Sequence, residues 1–111
     1  MADRTSIARD LYRAYETRDR DLIEQHLAPG YRFWSPQDHG IDRATYFERC
    51  WPNAEQLKLF RFDRIVESAD DVIVTYTAER ADGSRFRNTE VHVFEGEQVV
   101  RTEVYFGWDL S

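Results

Sequence analysis

Glu90 and His92 are, by type and spacing, the residues of this chain best suited to chemistry. They stand two apart in the run from Phe86 to Phe94, FRNTEVHVF. On an extended strand, side chains two apart share a face, so a carboxyl and an imidazole lie side by side among Phe86, Asn88 and Phe94. Such a pair can orient and tune itself, because burial raises a carboxyl pKa to roughly 6 to 7 in favourable cases and brings proton transfer near neutral pH. The same spacing also fits polar residues on the exposed or partner-facing side of a sheet, and the two readings stand together. A second acid–imidazole pair, Asp38-His39, follows Pro36. It reads either as an acid/base pair or as an Asx turn.

Other chemistries are not indicated. His39, His92 and the carboxylates lack His-x-x-x-His or Cys-x-x-Cys spacing, so no metal is expected. No serine sits in a nucleophile elbow and no glycine-rich phosphate loop occurs, so no nucleotide or other cofactor is expected. Cys50, the single cysteine, excludes an internal disulfide and reads as a small buried hydrophobe on a helix.

The elements that must position these groups are legible in outline. Phe86 to Trp108 reads as one long β-hairpin around the Glu95-Gly96-Glu97 break, where glycine supplies the positive φ of a tight turn. A two-residue turn places Arg101, Glu103 and Tyr105 on the Glu90 face. A three-residue loop places Val100, Thr102, Val104 and Phe106 there. Upstream, Ile7, Leu11 and Tyr15 recur at four-residue spacing, which predicts an amphipathic helix from about Asp3 to Arg18, with charges on its other side. A short second helix carries Leu22, Ile23, His26 and Leu27 and ends at Pro29-Gly30, with His26 as a packing or capping residue. Tyr31 to Ser35 predicts a strand with Tyr31, Phe33 and Ser35 on one face and Arg32 and Trp34 on the other. Gln37 to Ile41 reads as a loop. Asp42 caps a third helix holding Tyr46, Phe47, Cys50 and Trp51, closed by Pro52. Leu57 to Glu67 and Val72 to Arg80 predict two further strands, and a turn at Asp82-Gly83 leads into the hairpin.

The chain has 111 residues, 41% of them hydrophobic, which predicts one domain with a real core. A net charge of −6 argues against nucleic-acid or anionic-membrane partners. The absence of a long apolar run argues against a membrane span, and the expected location is cytoplasmic.

With helix, helix, strand, helix and then an antiparallel meander in view, the chain resembles the NTF2-like superfamily, and within it the SnoaL-like (polyketide cyclase / ketosteroid isomerase-like) group. The resemblance is carried by LYRAYETRDRDLIEQHLAPGYRF near the start and VFEGEQVVRTEVYFGW near the end, and it covers nearly the whole chain. It implies an α+β cone-shaped barrel, cystatin-like in outline, with three N-terminal helices on a strongly curved, mostly antiparallel sheet, a deep pocket between them, and often a homodimer through the outer sheet face. It also favours the hairpin register that places Val100, Thr102, Val104 and Phe106 on the Glu90 face, and it puts Asp38 and His39 at the pocket mouth. In the isomerase pattern, the general-base position falls on Ser35, the oxyanion-hole tyrosine position on Leu11, and the pocket acid on Glu90, so two of these three depart. Two function classes follow. One is a cofactor-independent cyclase, isomerase or dehydratase using Glu90, His92, Asp38 and His39 on a small apolar or cyclic molecule, lined by Tyr15, Trp34, Ser35, Tyr46, Trp51 and Phe94. The alternative is a non-catalytic ligand-binding or assembly module.

Overall fold

The computed structural model describes residues 3–110. Helix α1 (Arg4–Thr17) begins where the Asp3 carboxyl accepts the Ser6 N–H, and it ends at Arg18, which takes the left-handed conformation at φ 58°. Its buried stripe of Ile7, Ala8, Leu11, Tyr12 and Ala14 lies across the sheet as the four-residue periodicity predicts. Helix α2 (Arg20–Glu24) is capped by Asp19. It is shorter than expected, because the chain turns extended at Leu27 rather than at Tyr31.

The strands are β1 (Leu27–Trp34), β2 (His39–Asp42), β3 (Leu57–Ser68), β4 (Asp71–Arg80), β5 (Arg85–Glu95) and β6 (Gln98–Leu110), in sheet order β2-β1-β6-β5-β4-β3. All neighbours pair antiparallel except β1 with β6. Pro29 and Gly30 do not end a helix here. They fall in an irregular stretch between the Leu27↔Val99 and Arg32↔Arg101 pairs, where a proline without an N–H breaks no ladder bond. The segment read as a loop over Gln37–Ile41 contains the edge strand β2. Four residues interrupted by glycine are too short a run to register as a strand. Gly40 has φ +74°, and a Cβ there would sit 2.7 Å from the Trp34 ring, so only glycine fits. Helix α3 (Arg43–Arg49) is capped by Asp42, as expected, and passes into a 3₁₀ turn over Trp51–Glu55 that admits Pro52 at its start.

Three helices thus pack on one face of a curved six-stranded mixed sheet, an α+β architecture. Arg4 ties two turns at one end of the sheet to the helix layer. Its guanidinium donates to the Gly96 carbonyl at 3.0 Å and to Asp70 at 3.1 Å, joining the β5–β6 and β3–β4 turns to the start of α1. Below it Phe94, only 1% exposed, fills that end of the core. Among the described residues, no helix is long and apolar enough to cross a membrane.

Candidate functional site

Alternation along β5 turns Glu90 and His92 to the concave face, where the sheet meets α1. The partner strand fits them through two irregularities. The hairpin turn has two residues, since Glu95 pairs with Gln98, but the register then slips between Phe94↔Val99 and Val93↔Arg101. The extra residue, Val100, is a bulge. It brings Thr102 opposite His92, Val104 opposite Glu90 and Phe106 opposite Asn88. Thr102, Val104 and Phe106 therefore face the cavity, as the second register had it, although a bulge rather than a longer loop achieves it. A second slip beside Gly107 brings that backbone N–H within 3.1 Å of the Asn88 side-chain oxygen.

The cavity has a volume of about 200 Å³ and opens on a shallower bay of about 500 Å³; Asn53, Leu57, Phe86, Asn88 and Phe106 belong to both. Its inner wall combines Leu11, Phe33 and Phe60 with the hydroxyls of Tyr12, Tyr15, Tyr46 and Tyr76, and carries two carboxyls, Glu90 and Asp38. Among the described residues no lysine or arginine lines it, so neither carboxyl meets a countercharge from the wall itself.

Glu90 is the polar centre. Tyr76 donates to its Oε2 at 2.6 Å and Tyr12 to its Oε1 at 3.1 Å, and Asn88 reaches the Tyr76 hydroxyl at 3.4 Å. The Tyr12 hydroxyl also lies 2.8 Å from His92 Nε2, while His92 Nδ1 lies 2.9 Å from the Thr102 hydroxyl. Burial raises the Glu90 pKa above its ordinary 4.5, and the hydrogen bonds from Tyr76 and then Tyr12 pull it partly back. Burial also pushes His92 down to about 3, so at neutral pH the imidazole is uncharged. The opposing pull of a charged His92 on Glu90 is therefore absent. Tyr12 and Tyr76 are held well above the usual phenol range, first by burial and then by the adjacent Glu90 charge, so both remain hydrogen-bond donors. With 15% of its side chain open, Glu90 still presents unused lone pairs to the cavity.

Asp38 reaches the cavity from the β1–β2 turn. The chain folds back after Ser35 through Ser35 N–H to Asp38 O at 2.7 Å, and the Ser35 hydroxyl receives the Asp38 and Gln37 N–H groups at 3.1 Å. This turn carries the Asp38 carboxyl back beside Ser35, 3.4 Å from its Oγ. Arg49 lies 2.9 Å from Asp38 Oδ1, yet that oxygen receives no aligned hydrogen bond. The contact is a charge pairing that leaves the lone pairs free. Cys50, also on the wall, has its thiol pushed up to about 12, by burial first and by Asp38 next, and it stays protonated.

Of the residues singled out from sequence, Glu90, His92, Asp38, Ser35, Tyr15 and Tyr46 come together on this wall, and Tyr15 and Tyr46 share a 2.7 Å hydrogen bond. The others lie elsewhere. His39 is exposed on edge strand β2, opposite Trp34. Trp34 faces outward, as strand parity requires, with Arg101 across its ring. Trp51 packs behind Tyr15 at 4.9 Å, and Phe94 is core. Tyr12 and Tyr76, the direct partners of Glu90, are not singled out by the sequence, and Thr102, the partner of His92, falls on the Glu90 face only in the second register. The signal for Tyr76 was available, as a lone hydroxyl in the inward series Val72, Val74, Tyr76, Ala78.

The comparisons agree with this fold. The family model described as SnoaL-like domain matches residues 8–102. The chain belongs to the SnoaL-like family. Its fold is shared by an NTF2-like protein of unknown function from Cytophaga hutchinsonii, with TM-score 0.76, 17% identity, and coverage of 96% of this chain and 92% of that one. It is shared also by a candidate ketosteroid isomerase from Kribbella flavida, with TM-score 0.79, 15% identity and coverage of 96% and 79%. A third is IdmH, a candidate polyketide cyclase from Streptomyces antibioticus, with TM-score 0.75, 16% identity and coverage of 93% and 91%. These identities carry the SnoaL-like fold and no more. No curated protein matches the chain.

Proposed function

We propose that this SnoaL-like domain binds a compact, uncharged cyclic or apolar carbonyl compound and moves a proton next to its carbonyl without a cofactor, as an isomerase, cyclase or dehydratase does. The observation that carries the reading is Glu90, a part-buried carboxyl held by two tyrosine hydroxyls at 2.6 and 3.1 Å and open to an aromatic cavity. A carbonyl oxygen at Glu90 would accept a hydrogen bond from the protonated carboxyl, which Tyr76 and Tyr12 hold in place, so negative charge developing on that oxygen would meet one preorganised donor. Asp38, on the same cavity and beside Ser35, is the group suited to take the proton from the adjacent carbon. The C–H electrons then form the enol double bond, and the carbonyl oxygen takes the Glu90 proton. Return of a proton to a different carbon, or loss of a β-hydroxyl as water, completes isomerisation or dehydration. His39 at the outer edge has no part in this scheme.

Binding and catalysis are separable. Titration with phenols, which imitate the enol, and with cyclic ketones reports occupancy, and deuterium exchange at the α-carbon of a bound ketone reports proton transfer. We expect exchange above the buffer rate, falling roughly 10²- to 10⁴-fold in Glu90→Gln and comparably in Asp38→Asn. Binding with exchange no faster than in buffer would establish the alternative, a non-catalytic ligand-binding module, which the serine at position 35 favours. No binding of either class would remove the whole reading. The domain is also proposed to act as a homodimer through the convex face of its sheet.

A further inference from the structure

Each hydroxyl in the Glu90 cluster has one proton, and counting where those protons go gives His92 a role. With Glu90 ionised, Tyr76 donates to Oε2 and Tyr12 to Oε1. Tyr12 has then spent its proton, so the 2.8 Å contact to His92 requires Nε2 to carry a hydrogen, and Nδ1, left bare, accepts from Thr102 at 2.9 Å. With Glu90 protonated the pattern must reverse. The Tyr76 hydroxyl accepts the Asn88 N–H and still aims its own proton at Oε2, so in the empty cavity the acid proton sits on Oε1, facing Tyr12, and turns to a carbonyl oxygen only when one is bound. The Tyr12 proton must turn to Nε2, which is now bare, and Nδ1 carries the hydrogen that Thr102 accepts. In neither state does the ring hold two protons.

We propose that His92 is a positioning residue that works as a neutral tautomer switch, offering a proton to Tyr12 when Glu90 is a carboxylate and accepting one from Tyr12 when Glu90 is an acid. Glu90 can thereby change protonation state while every buried partner keeps its hydrogen bond, which a fixed donor or a fixed acceptor at position 92 would not allow. The depressed basicity of the buried ring agrees with this, since the ring is uncharged in both end states and the net change is the one proton taken up by Glu90. The groups facing the cluster from the packed elements are Tyr15 on α1, Tyr31 on β1, Tyr46 and Cys50 around α3, and Asp38 on the β1–β2 turn. Asp38 alone of these is a second carboxyl, and its own titration must be followed beside that of Glu90.

The inference rests on Glu90 being the proton-carrying group of the proposed site, yet its test needs no substrate, so it can fail while the proposed reaction stands, and the reverse. Nitrogen NMR of ring-labelled histidine, assigned with a His92→Gln variant, is followed against the carbon resonances of the Glu90 and Asp38 carboxyls over pH. The ring hydrogen of His92 should move from Nε2 to Nδ1 as pH falls through the Glu90 midpoint and not the Asp38 one. In Glu90→Gln the tautomer should be fixed at every pH. His92→Gln, whose amide both donates and accepts, should keep the Glu90 midpoint. His92→Leu strands the Tyr12 proton in the acid state and should lower the midpoint by about one pH unit, a tenfold loss of proton affinity. The proposal is overturned by one tautomer on both sides of the midpoint, by a doubly protonated His92 within the folded range, or by a Glu90 with no midpoint there. If His92→Leu does not fold, the tautomer reading in the native chain and in Glu90→Gln decides.

Discussion

Glu90 and His92 are buried in forms that pull acid stability in opposite directions. Glu90 has a folded pKa above its ordinary 4.5, so its contribution is full below that value and is lost as pH rises through the folded midpoint. His92 has a folded pKa of about 3 against an ordinary 6.5, so its contribution is present above 6.5 and is lost as pH falls towards 3. From 4.5 up to the folded Glu90 midpoint or 6.5, whichever is lower, the slopes oppose, each limited to about tenfold in the folding constant per pH unit. The native chain should therefore show a shallow profile of urea midpoint against pH. Glu90→Gln should become steeper, gaining stability as pH rises towards 6.5, and His92→Gln should slope the other way. Parallel profiles for all three chains would mean that the two groups are not buried as described. The pairing of these residues was legible in sequence because strand parity is local. Their partners were not, because Tyr12, Tyr76 and Thr102 come from three other elements, and only the packed fold brings them within hydrogen-bonding distance.

At the scale of elements, the β5–β6 hairpin was readable in its extent and its glycine turn but not in its face. Two-residue turn geometry pointed Arg101 and Glu103 into the cavity, and the bulge at Val100 reverses that. Nothing in the residues around Val100 announces a bulge, which is settled by which face finds apolar neighbours once α1 is packed. The second irregularity is fixed by a glycine. A Cβ at position 107 would lie 2.1 Å from the Arg87 carbonyl oxygen, a backbone atom that cannot swing away. The same backbone donates to Asn88, which reaches Tyr76 and so Glu90. We therefore expect Gly107→Ala to cost about 1–3 kcal/mol or more and to weaken phenol binding, whereas Gly30→Ala, with nothing within 4 Å of its added Cβ, should stay within about 0.5 kcal/mol of native stability. Denaturant midpoints measure both, and equal midpoints for the two variants would refute the close approach at Gly107. Pro29-Gly30 is a strong stop signal in sequence, yet in β1 it only marks where the ladder skips.

At the scale of the whole molecule, the helices cover only the concave face, and the convex face carries a row running across five strands. Val66 pairs with Ile73, Ile73 with Val91, Val91 with Glu103 and Glu103 with Trp34. Side chains of directly paired residues point the same way, so four apolar groups and one carboxylate, itself ion-paired to Arg101, form a continuous band. Val66 is 51% and Trp34 39% exposed, and Tyr105 beside them is 55% exposed. A two-fold interface asks a surface to complement itself, and this band can do so, each copy's valines covering the other's while the Glu103 carboxylate within it stays paired to Arg101 of its own chain. We expect sedimentation at micromolar concentration to give twice the 13.2 kDa chain mass. Val91→Lys, at the centre of the band and facing away from Glu90, should convert the dimer to monomer and leave phenol binding in the cavity within a few-fold of native. A native chain that sediments as a monomer would refute the interface, and a Val91→Lys protein that remains dimeric would place it on another surface.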